Sequence, residues 1–183
     1  MIFPRFRRAA RPDTISVLYG TIVAQARLAE FYRGFAVPDT INGRFELLVL
    51  HLVLLLDRLA HDEALRPLGQ GIFDAFCRDM DDNLREMGVG DLAVPKKMRG
   101  IGAAYYDRAK AYGEALAAGE GALASVIARN IYGTEPAVHA PRLANYVWQT
   151  ARHLAAVDRQ ALGAGLLDFP DPAAISEACD VKD

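Results

Sequence analysis

Cysteine is nearly absent. Two occur in 183 residues, Cys77 on an apolar helical stripe and Cys179 near the end, and neither stands at a metal-ligand spacing. No disulfide framework and no metal site are expected, and a reducing compartment suits the chain. A surplus of one charge is missing too. With 21 cations against 23 anions the net charge is −2, so there is no global basic field for nucleic acid, and no nucleic-acid partner is expected. No apolar run reaches the roughly 20 residues of a membrane span. The longest, LLVLHLVLLL, is interrupted by His51 and closed by Asp57 and Arg58. Period-two alternation strong enough for a sheet, an internal repeat, a G-x-x-x-x-G-K-[ST] loop and a nucleophile with a local base are all lacking. Catalysis and a bound cofactor are therefore not expected.

What is present is helical periodicity. With 52% hydrophobic and 24% charged residues the chain is globular and long enough for one sizeable core. A helix is expected over 14–34, with Ile15, Leu18, Ile22, Ala26 and Ala29 facing inward. Pro38 breaks it and Asn42 caps the next. That second helix, 45–59, is apolar on every side, which makes it the central one. His51 is its only group able to ligate haem or metal. With no second histidine and no Glu-x-x-His pair, it reads as a hydrogen-bonded core residue. A connection over 61–70 leads to a third helix. A fourth is expected over 95–118, a short one over 121–132 and a last long one over 141–163. The fold class is all-α, a compact single-domain bundle of about six helices.

The stretch 73–99, FDAFCRDMDDNLREMGVGDLAVPKKMR, is where periodicity, charge and turn chemistry become unusual together. Phe73, Phe76, Cys77, Leu84 and Met87 fall within ~60° of Met80 on a helical wheel, which makes one core-facing stripe. Asp74, Asp79, Asp81, Asp82 and Glu86 coat the rest. Gly88 supplies a left-handed stop, and Pro95 opens the next helix on Lys96, Lys97 and Arg99. These charges oppose what helix ends prefer, since an acid sits in a last turn and three cations crowd a first turn. Either the acids pair with the cations across the hairpin, or the turn presents a two-signed surface to a partner. The candidate partner-binding residues are Asp79, Asp81, Asp82, Arg85, Glu86, Asp91, Lys96, Lys97 and Arg99. Trp148, just off the stripe of the last helix, is either core edge or an exposed anchor.

The ends differ in character. Residues 1–12 form a basic arm with Arg5, Arg7, Arg8 and Arg11, which lacks an apolar signal region and is either a disordered start or a contact for anionic lipid headgroups. Residues 13–166 form the helical domain, and 167–183 an acidic tail expected to be flexible. One enzyme alternative exists: Asp79, Asp81 and Asp82 could hold magnesium against a diphosphate. It lacks the second carboxylate group that such sites need on a facing helix.

The segment CRDMDDNLREMGVGDLAVPKKM, together with LYGTIVAQAR and VPDTINGRFELLVLHL upstream, resembles the ubiquinol-cytochrome c chaperone family. The likeness runs over about 15–132 and is densest over 79–97. It implies a non-enzymatic assembly chaperone that binds newly made cytochrome b and promotes assembly of ubiquinol-cytochrome c reductase, respiratory complex III. A second assembly factor is a further partner that the resemblance admits. The short basic start fits a bacterial member, expected in the cytoplasm with peripheral contact at the inner face of the membrane. Outside the family, the runner-up is a general helical protein-interaction or regulatory module.

Overall fold

The computed structural model describes residues 12–134 and 137–175. Among them there is no strand, and the fold is a compact all-α bundle built around α3 (Ile41–Ala60). Around α3 pack α1 (Pro12–Ala26), α4 (Arg66–Glu86), α5 (Val94–Ala118) and α7 (Ala140–Ala156). Leu47, Leu50, Leu52, Leu55 and Leu59 of α3 are fully buried, as an apolar circumference requires. Each such side chain contributes roughly 1.5–3 kcal/mol. Thr40 rather than Asn42 caps α3, its hydroxyl accepting the Gly43 N–H at 3.1 Å.

Several boundaries differ from the sequence expectation. The first helix is broken at Leu28, where ψ is 130°, and α2 (Ala29–Arg33) restarts it. Phe31 and Phe35 thereby reach the core with no exposed surface, while Ala29, expected inside, is exposed. Two aromatic rings outweigh one methyl group in burial free energy. The connection before α4 is shorter than 61–70, because Pro67 lies inside the first turn and starts the helix. Its Gly71 sits where a Cβ would come within 2.3 Å of Ile15 Cδ1, so α1 and α4 approach closely there. The last long helix stops at Ala156, and Asp158 caps a separate α8 (Arg159–Gly163) by accepting from the Gln160 and Ala161 N–H groups.

Between α5 and α7 the chain forms α6 (Glu120–Ile127) and a π-helical turn, Ala128–Tyr132, that ends at left-handed Gly133. The segment following α8 is packed rather than loose as far as Ile175. Phe169 meets the His51 ring edge-on at 5.4 Å, and Ile175 is 4% exposed, so the boundary expected at 167 falls inside the packed body. Residues 176–183 lie outside the described part.

A polar chain threads this core. His51 Nδ1 lies 2.7 Å from the Leu47 carbonyl, which only accepts, so the ring is the Nδ1–H tautomer and Nε2 takes the Tyr146 O–H at 2.8 Å. Gln25 Nε2 donates to the Tyr146 oxygen at 3.0 Å and to the Pro170 carbonyl at 3.1 Å. Four segments are tied through one buried imidazole.

Burial holds that imidazole neutral, with its pKa lowered from 6.5 to about 4. As pH falls below 6.5 the unfolded chain takes up the proton and the native state does not, so stability is full above that pH and is lost down to about 4. The loss attributable to His51 at pH 4 is on the order of 3 kcal/mol. Urea unfolding of wild type and His51→Gln across pH 4 to 7.5 should show the two stabilities converging by that amount toward acid; parallel profiles would remove His51 from the acid response.

Candidate functional site

The hairpin between α4 and α5 is closed by backbone first. Gly88 N–H donates to the Arg85 carbonyl and Val89 N–H to the Leu84 carbonyl, the double bond pattern of a left-handed helix stop, and Gly88 has φ 80°. Leu84 and Val94, both buried, anchor its two sides, whereas Leu92 is 99% and Met87 59% exposed. Large apolar side chains are thus left in water beside a fixed turn.

Charge then locks the same turn. Arg85 Nε donates to Asp81 at 2.6 Å, and Arg85 Nη1 pairs with Asp91 across the turn. These two acids raise the guanidinium pKa further, chiefly through the Asp81 hydrogen bond. Among the described residues Lys96, Lys97 and Arg99 form no ion pair, and neither do Asp82 and Glu86. Of the two arrangements that the sequence allowed, pairing between the acids of α4 and the cations of α5 is not the one present. The hairpin is clipped by Arg85 alone, and the cations stand free at the α5 N-terminus.

Beside the hairpin lies an open groove of about 1120 Å³ between the α1–α2 bend, the start of α3, the end of α4 and Ile101 of α5. Val23, Ala26, Phe45, Leu48, Met80 and Ile101 give it an apolar floor, and Ile41, 77% exposed, and Met87 extend that surface to its rim. Arg27, Arg33 and Arg44 also line it. Arg44 is held by Asp39 at 2.7 Å, while Arg27 and Arg33 are exposed and without an ion pair among the described residues. Asp79 lines the α4 side. Its carboxylate accepts from Tyr19 O–H at 2.6 Å and Asn83 Nδ2 at 3.0 Å, and burial together with that carboxylate pushes the Tyr19 phenol pKa far up.

The aspartates therefore diverge. Asp79 serves the α1–α4 contact, Asp81 the Arg85 clip, and Asp82 is exposed without a partner among the described residues, which is not the convergent oxygen set that a magnesium ion needs. His51 has both ring nitrogens engaged inside the protein and offers none to haem or metal. Trp148 is half-buried on α7 with the Arg152 guanidinium 4.7 Å over its ring, and it does not line the groove. The arm residues Arg5, Arg7, Arg8 and Arg11 lie outside the described residues. No helix among the described residues is long and apolar enough to cross a membrane.

Sequence reasoning did not find the pair that fixes the far side of α3. Glu46, 2% exposed, receives Arg108 Nη2 at 2.7 Å and Arg108 Nε at 3.0 Å, a two-point contact between α3 and α5. A glutamate inside FELLVLHL was the available signal, because a buried carboxylate must have a partner. The contact sets α5 against α3, whose neighbouring Phe45 and Leu48 form groove floor.

Together these features define a helical bundle with an open, partly apolar groove beside a charged hairpin, and with clustered acids that point to different partners. The chain belongs to the ubiquinol-cytochrome C chaperone family, whose model matches residues 33–169. It is similar to the crystallised Cbp3 homolog from Brucella abortus, with a TM-score of 0.84 and 40% identity over 91% of this chain and 94% of that one. It is also 24% identical over 115 residues to ubiquinol-cytochrome-c reductase complex assembly factor 1 of Xenopus laevis, covering 62% of this chain and spanning 58% of that relative. The family match includes α3, the α4–α5 hairpin and most of the groove.

Arg108→Ala would leave Glu46 buried without its partner and should cost roughly 3–5 kcal/mol. Glu46→Leu with Arg108→Leu should recover most of that loss in urea unfolding; a single Arg108→Ala variant within 1 kcal/mol of wild type would show the pair to be marginal.

Proposed function

We propose that the protein is an assembly chaperone for ubiquinol-cytochrome c reductase that binds newly made cytochrome b, and that the groove with its adjoining hairpin is the client-binding surface. Family membership supplies the class of activity. The observation that carries the surface is the conjunction of an apolar groove open to solvent with cations that the bundle itself leaves unpaired. An apolar client segment gains by leaving water, which restrains its aggregation until its own partners arrive. Fixed charges at the rim decide how it lies and speed its encounter.

The free cations are costly to the fold. Lys96 and Lys97 sit in the first turn of α5, where each is disfavoured by about 0.3–1 kcal/mol, and no carboxylate compensates them. A bundle under selection for stability alone would place acids there. That arrangement is consistent with a partner as the missing counter-charge, and a second assembly factor is a candidate for the same edge. The arm bearing Arg5, Arg7, Arg8 and Arg11 adds, on this reading, a peripheral contact with anionic lipid where the client inserts.

The test is the triple variant Lys96→Gln, Lys97→Gln, Arg99→Gln expressed in place of the wild type. Its melting temperature should be unchanged or higher, while cytochrome b recovered by affinity purification should fall roughly tenfold and complex III levels should drop. A variant that melts lower yet supports normal complex III would make the hairpin purely structural.

A further inference from the structure

The groove has a polarity that its apolar floor does not reveal. Its walls are helices and the turns joining them, with every strand edge absent among the described residues, so a client cannot add its backbone to a ladder. A segment entering apolar surroundings must then satisfy its own N–H and C=O groups, and a helix does this within itself. The space fits that form. At a diameter of about 10 Å and a rise of 1.5 Å, a helix occupies roughly 120 Å³ per residue, so about nine residues, or two and a half turns, fill 1120 Å³. Met80 and Met87 give the surface some tolerance of side-chain shape.

Unpaired positive charge lies on only one side of this space. Asp39 pairs with Arg44, while on the opposite, α4 side the Asp79 carboxylate is hydrogen-bonded by the neutral Tyr19 and Asn83 and keeps its negative charge. Arg27 and Arg33, at the α1–α2 bend, remain uncompensated. Both exist at the rim because α1 breaks at Leu28, which turns Phe31 inward and leaves Ala29 and Arg33 along the groove.

We infer that the groove binds a single apolar client helix that carries a carboxylate at one end, and that Arg27 and Arg33 set its direction by pairing with that carboxylate. This rests on the groove being the client surface, but not on the client being cytochrome b. A lysine at the same end would face two guanidinium groups, with the Asp79 carboxylate on the opposite side of the groove, so the reverse orientation is disfavoured as well as unrewarded. Arginine suits this role because its planar fork grips a carboxylate at two points.

Labelled 18-residue helical peptides with one alanine–leucine core and an end bearing two glutamates, two glutamines or two lysines provide the probe, with fluorescence anisotropy as the readout. The wild type should bind the glutamate peptide at least ~10-fold more tightly than the lysine peptide, with glutamine between, and 0.5 M salt should compress that order. Arg27→Glu with Arg33→Glu, both at exposed positions, should invert the order while circular dichroism stays unchanged. Ala29→Trp, which fills the groove from an exposed wall position, should weaken all three peptides. Equal affinity for the three peptides, or undiminished binding to Ala29→Trp, overturns the inference. So does a failure of every peptide to bind, including the case in which sedimentation shows a dimer that Ala29→Trp dissociates, since the groove then belongs to a second copy. Cytochrome b capture by the double arginine variant is measured separately: charge-ordered peptide binding with undiminished capture would refute the proposed client site and leave the groove's selectivity standing.

Discussion

A neutral histidine at the centre of an otherwise apolar helix constrains the whole bundle. His51 has no exposed surface, so both of its nitrogens must find protein partners or be left unsatisfied at a cost of about 1–3 kcal/mol each. One is met inside α3, by Leu47. The other requires Tyr146, which fixes α7 in register along α3, and the Tyr146 oxygen in turn fixes Gln25 of α1 and through it the backbone at Pro170. Apolar packing alone would tolerate sliding or rotation among these elements, because leucine contacts are non-directional. The hydrogen bonds specify one arrangement. Phe31 and Phe35 then pack against the Tyr146 ring at 5.1 and 6.2 Å and complete the enclosure.

The groove follows from that enclosure. To bring Phe31 onto His51 and Tyr146 the first helix has to break, and the break is where the groove acquires its cationic wall. Arg142 secures the far side of the bend, donating to the Gly34 carbonyl at 2.8 Å and to the Ile175 carbonyl at 3.0 Å while lying 4.4 Å over the Phe35 ring. On the opposite flank, the two-point contact between Glu46 and Arg108 holds α5 to α3. An apolar surface that stays open to water needs walls that cannot collapse into it. Those walls are braced by directional contacts set behind them, away from the groove itself.

Much of the fold was legible in the sequence because apolar periodicity reports burial directly. The all-round apolar run of α3, the stripe of α4 as far as Leu84 and the glycine stop at Gly88 each name their own surroundings, whereas Met87, expected on that stripe, is exposed. What was not legible required knowing a distant neighbour. Aromatic spacing puts Phe31 in the core, but no break residue stands at Leu28 to show that the helix restarts there and turns Ala29 out. Glu46 announced a partner but not which one. The hairpin charges were recognised as anomalous from helix-dipole rules, yet the local pattern could not tell that Arg85 would take both Asp81 and Asp91 and so leave Lys96, Lys97 and Arg99 alone. The packing of Phe169 and Ile175 was hidden for a similar reason, since an acidic, prolyl stretch reads as loose until the aromatic pocket that receives it is known.

Satisfied and unsatisfied charges are unevenly distributed in this chain. Where an ionised group supports the fold it is paired: Arg108 with Glu46, Arg142 with two carbonyls, Arg85 with two aspartates, Arg44 with Asp39. The exceptions include Arg27 and Arg33 at one edge of the groove and Lys96, Lys97 and Arg99 on the adjoining hairpin. Exposed arginines and lysines are ordinary on a protein surface, and singly they mean nothing. Beside them, however, Ile41, Met87 and Leu92 expose large apolar side chains, which a solvated charge cluster does not explain. Apolar exposure costs free energy in water, and cations at a helix start oppose the macrodipole, so both features of this edge are unfavourable to the bundle itself. On the proposed reading both deficits are removed by the same event, the arrival of an apolar segment carrying negative charge.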